Sequence, residues 1–341
     1  MGNINQTKKK QHNYSLDLLK FISSFLIVCI HFKFEGRLGE FVTVASRFAV
    51  PVFFMISGYY SYNNSHINIR KKIIGIIKIY FIAVVLYFCF NVFKMVYLGQ
   101  IKEAIWYVST YFRIRYTSKT ILFNESISAM HLWFMGSLIY SYIIQYFVIK
   151  SKIRENSVYT FSCVLLLIHL VLGIGINAVG METPAFLMKN YMLRNFLFMG
   201  FPLFTFGRFI RHKEDSILHF VSSKHIALLV MLSILDTIWV YRIDCTKDLY
   251  IGSLLLAFAL FVVSLKTKDK TFTPAMTSVF GTSANVYLFH IMVGEVLAIT
   301  PLENMQFYLY IRPVVIFVLS VFVSLMIKSL AVCIKRNMPG R

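Results

Sequence analysis

Apolar runs of about twenty residues alternate with short basic segments along the whole chain. The runs fall at 16–34, 41–62, 73–98, 129–149, 157–175, 193–210, 224–241, 248–265, 279–299 and 308–334. Each is close to the length of helix that spans a hydrocarbon core, which is roughly 20 residues. In lipid, an open segment satisfies its backbone N–H and C=O groups only as a helix. The pattern therefore predicts an all-α integral membrane protein of about ten transmembrane helices. An even number of crossings returns both termini to one side.

The loops give that side. Lys8, Lys9 and Lys10 precede the first run, in a basic tail over 1–15. Arg70, Lys71 and Lys72 follow the second, and Lys150, Lys152 and Arg154 the fourth. Arg208, Arg211, Lys213 and Lys224 lie around the end of the sixth and the start of the seventh, and Lys266, Lys268 and Lys270 follow the eighth. Lys335, Arg336 and Arg341 close the chain, while the segment 300–307 has no basic residue. By the positive-inside rule both termini are cytoplasmic. The connection 99–128, with Trp106, Arg113, Arg115 and Lys119, then lies outside. It reads either as an amphipathic segment lying on the membrane or as a lid over an outward-facing site.

Composition supports the membrane reading. Apolar residues make up 57% of the chain and charged residues 15%, more apolar surface than a soluble domain of this size can bury. The net charge of +20 would suggest nucleic acid in a soluble protein. Here the basic residues sit between apolar runs and no basic nucleic-acid motif appears, so the charge is a topology signal. The five cysteines, Cys29, Cys89, Cys163, Cys245 and Cys333, form no CxxC pair and read as small hydrophobes. No small-residue cleavage site follows the first run, which is expected to be retained. The histidines show neither HExxH nor a Cys/His cluster, so no metal is expected.

Ionisable residues inside apolar runs are costly and mark candidate sites. The first run holds Asp17, Lys20 and His31. Eleven positions at about 100° each bring Lys20 and His31 to nearly one helix face, roughly 16 Å apart along the axis. Asp17 is spaced to pair with Lys20. The same pair also fits a snorkelling interfacial position. In the second run, Arg47 is either an interfacial anchor or a fixed cation facing a cavity. Pro51 should kink that helix, while Ser57 and Gly58 suit close packing. His131 and Trp133 open the fourth run, where Trp133 also fits an aromatic belt. Arg194 and Asn195 open the sixth and read as interfacial, and Pro202 and Gly207 suit a bend there. The ninth run holds Asn285, Tyr287 and His290, and a mid-span histidine needs a polar partner.

These residues carry a resemblance. LDLLKFISSFLIVCIHF resembles the opening helix of the acyltransferase-3 family of integral membrane acyltransferases. RFAVPVFFMISGYY, HLWFMGSLIY, RNFLFMGFPLFTFG and SANVYLFH follow in the family's order and spacing. The family's first-helix Arg is replaced here by Lys20, which keeps a point charge but loses bidentate geometry.

The resemblance covers essentially the whole chain, 1–341, as one membrane acyltransferase domain without an additional hydrolase-like domain. It implies a multi-pass protein of a bacterial cytoplasmic membrane. The donor is then cytoplasmic acetyl-CoA or another acyl-CoA, acting as a substrate and not as a bound cofactor. The acceptor is a sugar hydroxyl of a capsular polysaccharide, an exopolysaccharide or another envelope glycan, or a lipid-linked sugar. His31 is the expected catalytic residue, as a general base or as an acyl carrier. Asp17, Lys20, Arg47, Ser57, His131, Trp133, Asn285, Tyr287 and His290 are the expected substrate-binding set. A transporter of an envelope polysaccharide or lipid-linked sugar, and a silent partner in an envelope-synthesis complex, are the competing readings.

Overall fold

A computed structural model describes residues 12–111, 113, 118, 121–124, 126, 128–175, 192–243 and 248–337. Lys8, Lys9 and Lys10 of the basic tail, Arg115 and Lys119 of the long connection, Cys245 and Arg341 lie outside the described residues. The described chain is helical, with no strand among the described residues. In order, the helices are α1 Tyr14–His31, α2 Gly36–Ala45, α3 Ala49–Tyr59, α4 His66–Tyr97, α5 Ile101–Tyr111, α6 Trp133–Lys150 and α7 Glu155–Leu170. They continue with α8 Phe201–His212, α9 Glu214–Phe220, α10 Ser223–Ile243, α11 Ile251–Lys266, α12 Pro274–Phe280, α13 Ser283–Ala298 and α14 Gln306–Asn337.

Seven segments are long and apolar enough to cross a membrane: Tyr14–His31, Gly36–Tyr59, His66–Tyr97, Met130–Lys150, Glu155–Gly173, Ser223–Ile243 and Gln306–Ile334. They match seven of the ten expected runs. The other three fall on α8, α11 and α13, which are helical but short. At 16 residues each, α11 and α13 reach about 24 Å, less than the ~30 Å of a hydrocarbon core. All three lie against neighbouring helices: α8 on α3, α6 and α7, α11 on α1, α3 and α10, and α13 on α1 and α14.

The distribution of apolar side chains fits a membrane. Along α4 large apolar residues such as Ile74, Ile77, Phe81, Ile82 and Phe93 are exposed, while only Ile69, Ala83 and Tyr87 are buried. α10 and α14 likewise expose Leu232, Leu235, Val318 and Phe322. Apolar surface on this scale suits lipid and not water. Within this outer layer α1 is central, packing on α3, α11, α13 and α14. Its start is fixed by Asn13, whose side chain accepts the Leu16 N–H at 3.1 Å and donates to the Ser264 carbonyl of α11.

An irregular helical turn stands just before each of the two prolines. The second run is divided by a 3-10 turn, Ser46–Phe48, and Pro51 sits in the first turn of α3. Pro202 sits similarly at the start of α8, after a π-helical turn, Phe196–Gly200. Helices α3 and α8 then cross with backbone against backbone. A side chain at Gly58 would strike the Phe204 carbonyl, and one at Gly207 the Met55 carbonyl.

Within the 99–128 connection, α5 is amphipathic. Ala104, Tyr107 and Thr110 are buried, whereas Ile101, Ile105 and Trp106 are exposed. Tyr107 stacks on Phe88 of α4, and Asn91 of α4 donates to Tyr107 Oη at 3.1 Å and to the Ser128 carbonyl at 2.7 Å. Buried Asn124 donates to the Trp133 carbonyl and accepts the Phe196 N–H, tying the end of the connection to α6 and to the π turn. Cys29, Cys89, Cys163 and Cys333 are free thiols.

Candidate active site

The site is assembled where α1 ends. The N–H of Phe32 caps α1 on the Val28 carbonyl at 2.8 Å, and its ring lies in the space left by Gly294 of α13. A side chain at Gly294 would occupy the position of that ring. Because His290 stands one turn before Gly294, this contact brings His31 and His290 together, with ring centroids 5.2 Å apart.

His131 completes the group from the short 3-10 turn Met130–Leu132 that leads into α6. Its ring centroid is 5.2 Å from that of His290 and 6.2 Å from that of His31. Two tyrosines tie α13 to the turn and to α4. Tyr287 Oη donates to the His131 carbonyl, and Tyr87 Oη of α4 donates to the Leu288 carbonyl at 2.7 Å. His131 also lies edge-on to both tyrosine rings, at 5.1 Å and 5.3 Å.

The three imidazoles are not equivalent. His290 is fully buried and His131 nearly so, whereas His31 is exposed. His290 Nδ1 faces the carbonyls of Tyr287 at 2.8 Å and Val286 at 3.1 Å. Its Nε2 is buried without a hydrogen-bond partner, and so are both ring nitrogens of His131. Among the described residues no group of three or more His, Cys, Asp or Glu is arranged to hold a metal ion.

A charged cluster stands beside the histidines. Arg47, on the 3-10 turn before α3, reaches Asp248 at 2.5 Å, and Arg194 approaches the same carboxylate at 3.6 Å. The Arg194 guanidinium lies over the Trp133 ring, 5.6 Å from its centroid. The positive charges of Arg47 and Arg194 both bear on His31. Arg47 is thus a fixed cation facing inward, and its Nε is buried without a partner.

The other end of α1 carries a second polar region. Lys20 pairs with Asp17 at 3.3 Å, and Asp17 also contacts His12 at 2.5 Å. His12 lines a cleft of about 330 Å³ together with Tyr59, Tyr60, Arg211, Glu214 and Lys268. Arg211 pairs with Glu214 and donates to Tyr59 Oη at 3.0 Å.

The structure therefore brings His31, His131, Tyr287 and His290 together, with Arg47 and Trp133 beside them. Asp17 and Lys20 belong to the opposite end. Ser57 is not at either place. Its hydroxyl donates to the Phe53 carbonyl at 2.9 Å, and its own carbonyl accepts from Tyr142, so it serves the packing of α3 on α6. Its small size suits that contact better than a substrate role. Asn285 lies half-buried near the start of α13, more than a turn before His290. Reading the sequence passed over Asp248, the first residue of the eighth run, and left Arg194 as an interfacial residue. For Arg194 the adjoining Asn195 was a usable signal. Its side chain caps the π turn by accepting from Leu197 and Phe198, which fixes the start of a helix directly behind the arginine.

Fold and site together define a multi-pass helical membrane protein with a buried histidine cluster open at one ring. The model of the acyltransferase domain family, acyltransferase-3, matches residues 13–333, and the chain belongs to that family of membrane acyltransferases. No curated protein and no solved structure matches the chain.

Proposed function

We propose that this protein moves an acetyl group from cytoplasmic acetyl-CoA to a sugar hydroxyl of a cell-envelope glycan, across a bacterial cytoplasmic membrane. The observation that carries this reading is the exposed imidazole of His31 beside two buried ones. A neutral imidazole with a bare ring nitrogen can accept a proton and is the natural general base for a hydroxyl.

In the proposed reaction His31 takes the hydroxyl proton as the sugar oxygen attacks the thioester carbonyl. The C–O bond forms, the C–S bond breaks, and the proton passes to the departing sulfur. The products are the sugar ester and free CoA thiol. Arg47 and Arg194 stand where they can offset the negative charge that develops on the carbonyl oxygen.

The donor enters from the end that holds the cleft. Arg211 and Lys268 supply cationic groups for its phosphates, His12 lines the same cleft, and Lys20 lies further along α1 toward His31. The 18 residues of α1 separate the cleft from His31 by about 27 Å, an interval suited to a long, thin donor. This reading places the cleft and both termini on the cytoplasmic side. It also counts α8, α11 and α13 as short crossings, for ten in all.

The test is release of free thiol from acetyl-CoA by purified protein in lipid, with and without envelope glycan. Glycan-dependent thiol release supports the acyltransferase reading. Glycan movement across the bilayer without thioester consumption would support a transporter instead.

A further inference from the structure

His290 has two nitrogens in unlike surroundings, and this difference has a consequence for His31. A carbonyl oxygen only accepts, so His290 Nδ1, facing the Tyr287 and Val286 carbonyls, carries the ring proton. Nε2 is then a bare lone pair. It is fully buried and has no hydrogen-bond partner. A buried acceptor without a donor is destabilising, which makes it a place for a donor to turn toward.

His31 and His131 each lie 5.2 Å from His290 between ring centroids. Ring nitrogens stand about 1 Å from the centroid, so this separation closes to an N–H···N bond of roughly 3 Å when the nitrogens face each other. The two neighbours differ in freedom. His131 is buried on a short turn whose carbonyl is held by Tyr287, and its ring sits between Tyr87 and Tyr287. His31 is the last residue of α1, and its ring is exposed.

We infer that His290 is the positioning residue for His31. Its Nε2 accepts the N–H of His31, which fixes the tautomer of His31 and leaves the other His31 nitrogen bare on the open side. The backbone carbonyls of α13 set the tautomer of His290, and His290 sets that of His31. The inference rests on the reading of His31 as the general base. It adds that a buried neutral imidazole performs the orienting role that a carboxylate performs in many other sites.

The test uses the full-length protein in lipid with 15N-labelled histidine. The His31 signals are assigned by their loss in His31→Asn. Three variants separate the two nitrogens of His290. His290→Asn keeps a donor for the backbone carbonyls but has no atom at the Nε2 position. His290→Gln places an acceptor oxygen near that position. His290→Phe removes both.

The expected result is a single His31 tautomer in wild type and in His290→Gln, and mixed tautomers in His290→Asn and His290→Phe. In the transfer assay kcat falls at least tenfold in the Asn and Phe variants while the KM for acyl-CoA stays constant, and Gln restores part of the rate. An unchanged His31 spectrum in His290→Asn would overturn the inference, as would a His31 tautomer that changes only in His131 variants. If wild type transfers no acyl group to any acceptor, the proposed function fails, and the spectra still decide whether His290 orients His31.

Discussion

The ring of Phe32 lies where a side chain at Gly294 would stand, and this one contact fixes the end of α1 against α13. It sets His31 and His290 next to one another although they lie near opposite ends of the chain. A residue with no chemistry of its own thereby determines where the proposed base sits. Gly294→Leu is expected to displace Phe32 and lower kcat by about tenfold or more, through misplacement of His31 alone. The check is transfer kinetics beside a melting curve, since loss of fold and loss of geometry separate there.

The crossing of α3 on α8 gives a stability prediction with its own control. A side chain at Gly207 meets the Met55 carbonyl, and backbone cannot turn aside as a side chain can. Gly207→Val should destabilise the protein by roughly 1–3 kcal/mol or more through overpacking. Gly75 of α4 has open space around it. Gly75→Ala should be neutral or stabilising by about 0.5–1 kcal/mol, because alanine is the better helix former. Thermal unfolding in one detergent compares the two. Equal effects would contradict the close crossing.

The pair Arg47–Asp248 is largely buried, with side chains 14% and 17% exposed. Asp248→Asn leaves the charge of Arg47 without its counterion, and the cost is on the order of 3 kcal/mol. Arg47→Met added to Asp248→Asn should recover part of that stability but not transfer activity. A double-mutant cycle read by melting temperature and by rate tests both halves. Additive effects would show that the two residues do not act as a pair.

The cleft at the far end of α1 predicts an effect on binding of the donor. Lys268 lines it and is exposed. Lys268→Glu should raise the KM for acyl-CoA several-fold with little change in kcat, and the difference should shrink as salt rises. A change confined to kcat would remove the cleft from the donor path.

Much of this arrangement was legible along the chain. Long apolar runs announced the helices, because lipid leaves the backbone no other solution. The spacing of Asp17 and Lys20 announced their ion pair, and a mid-span histidine at 290 signalled polar company. What was not legible is tertiary. The convergence of His31, His131 and His290 depends on how α1, α13 and the turn before α6 lie in space, and no local pattern records that. Asp248 is similarly silent, since a carboxylate at the end of a run becomes informative only when Arg47 and Arg194 are seen to share it. Pro51 and Pro202 each follow an irregular helical turn. The sequence did not show that the helix passes through a 3-10 turn before the one and a π turn before the other.

The most direct test of the central claim compares wild type with His31→Ala in membranes given radiolabelled acetyl-CoA and the host's own envelope glycans. The account predicts label in the glycan with wild type and a loss of about 10²–10⁴-fold in the variant, whose folding is checked by its melting curve. Full transfer by a folded His31→Ala protein would contradict it.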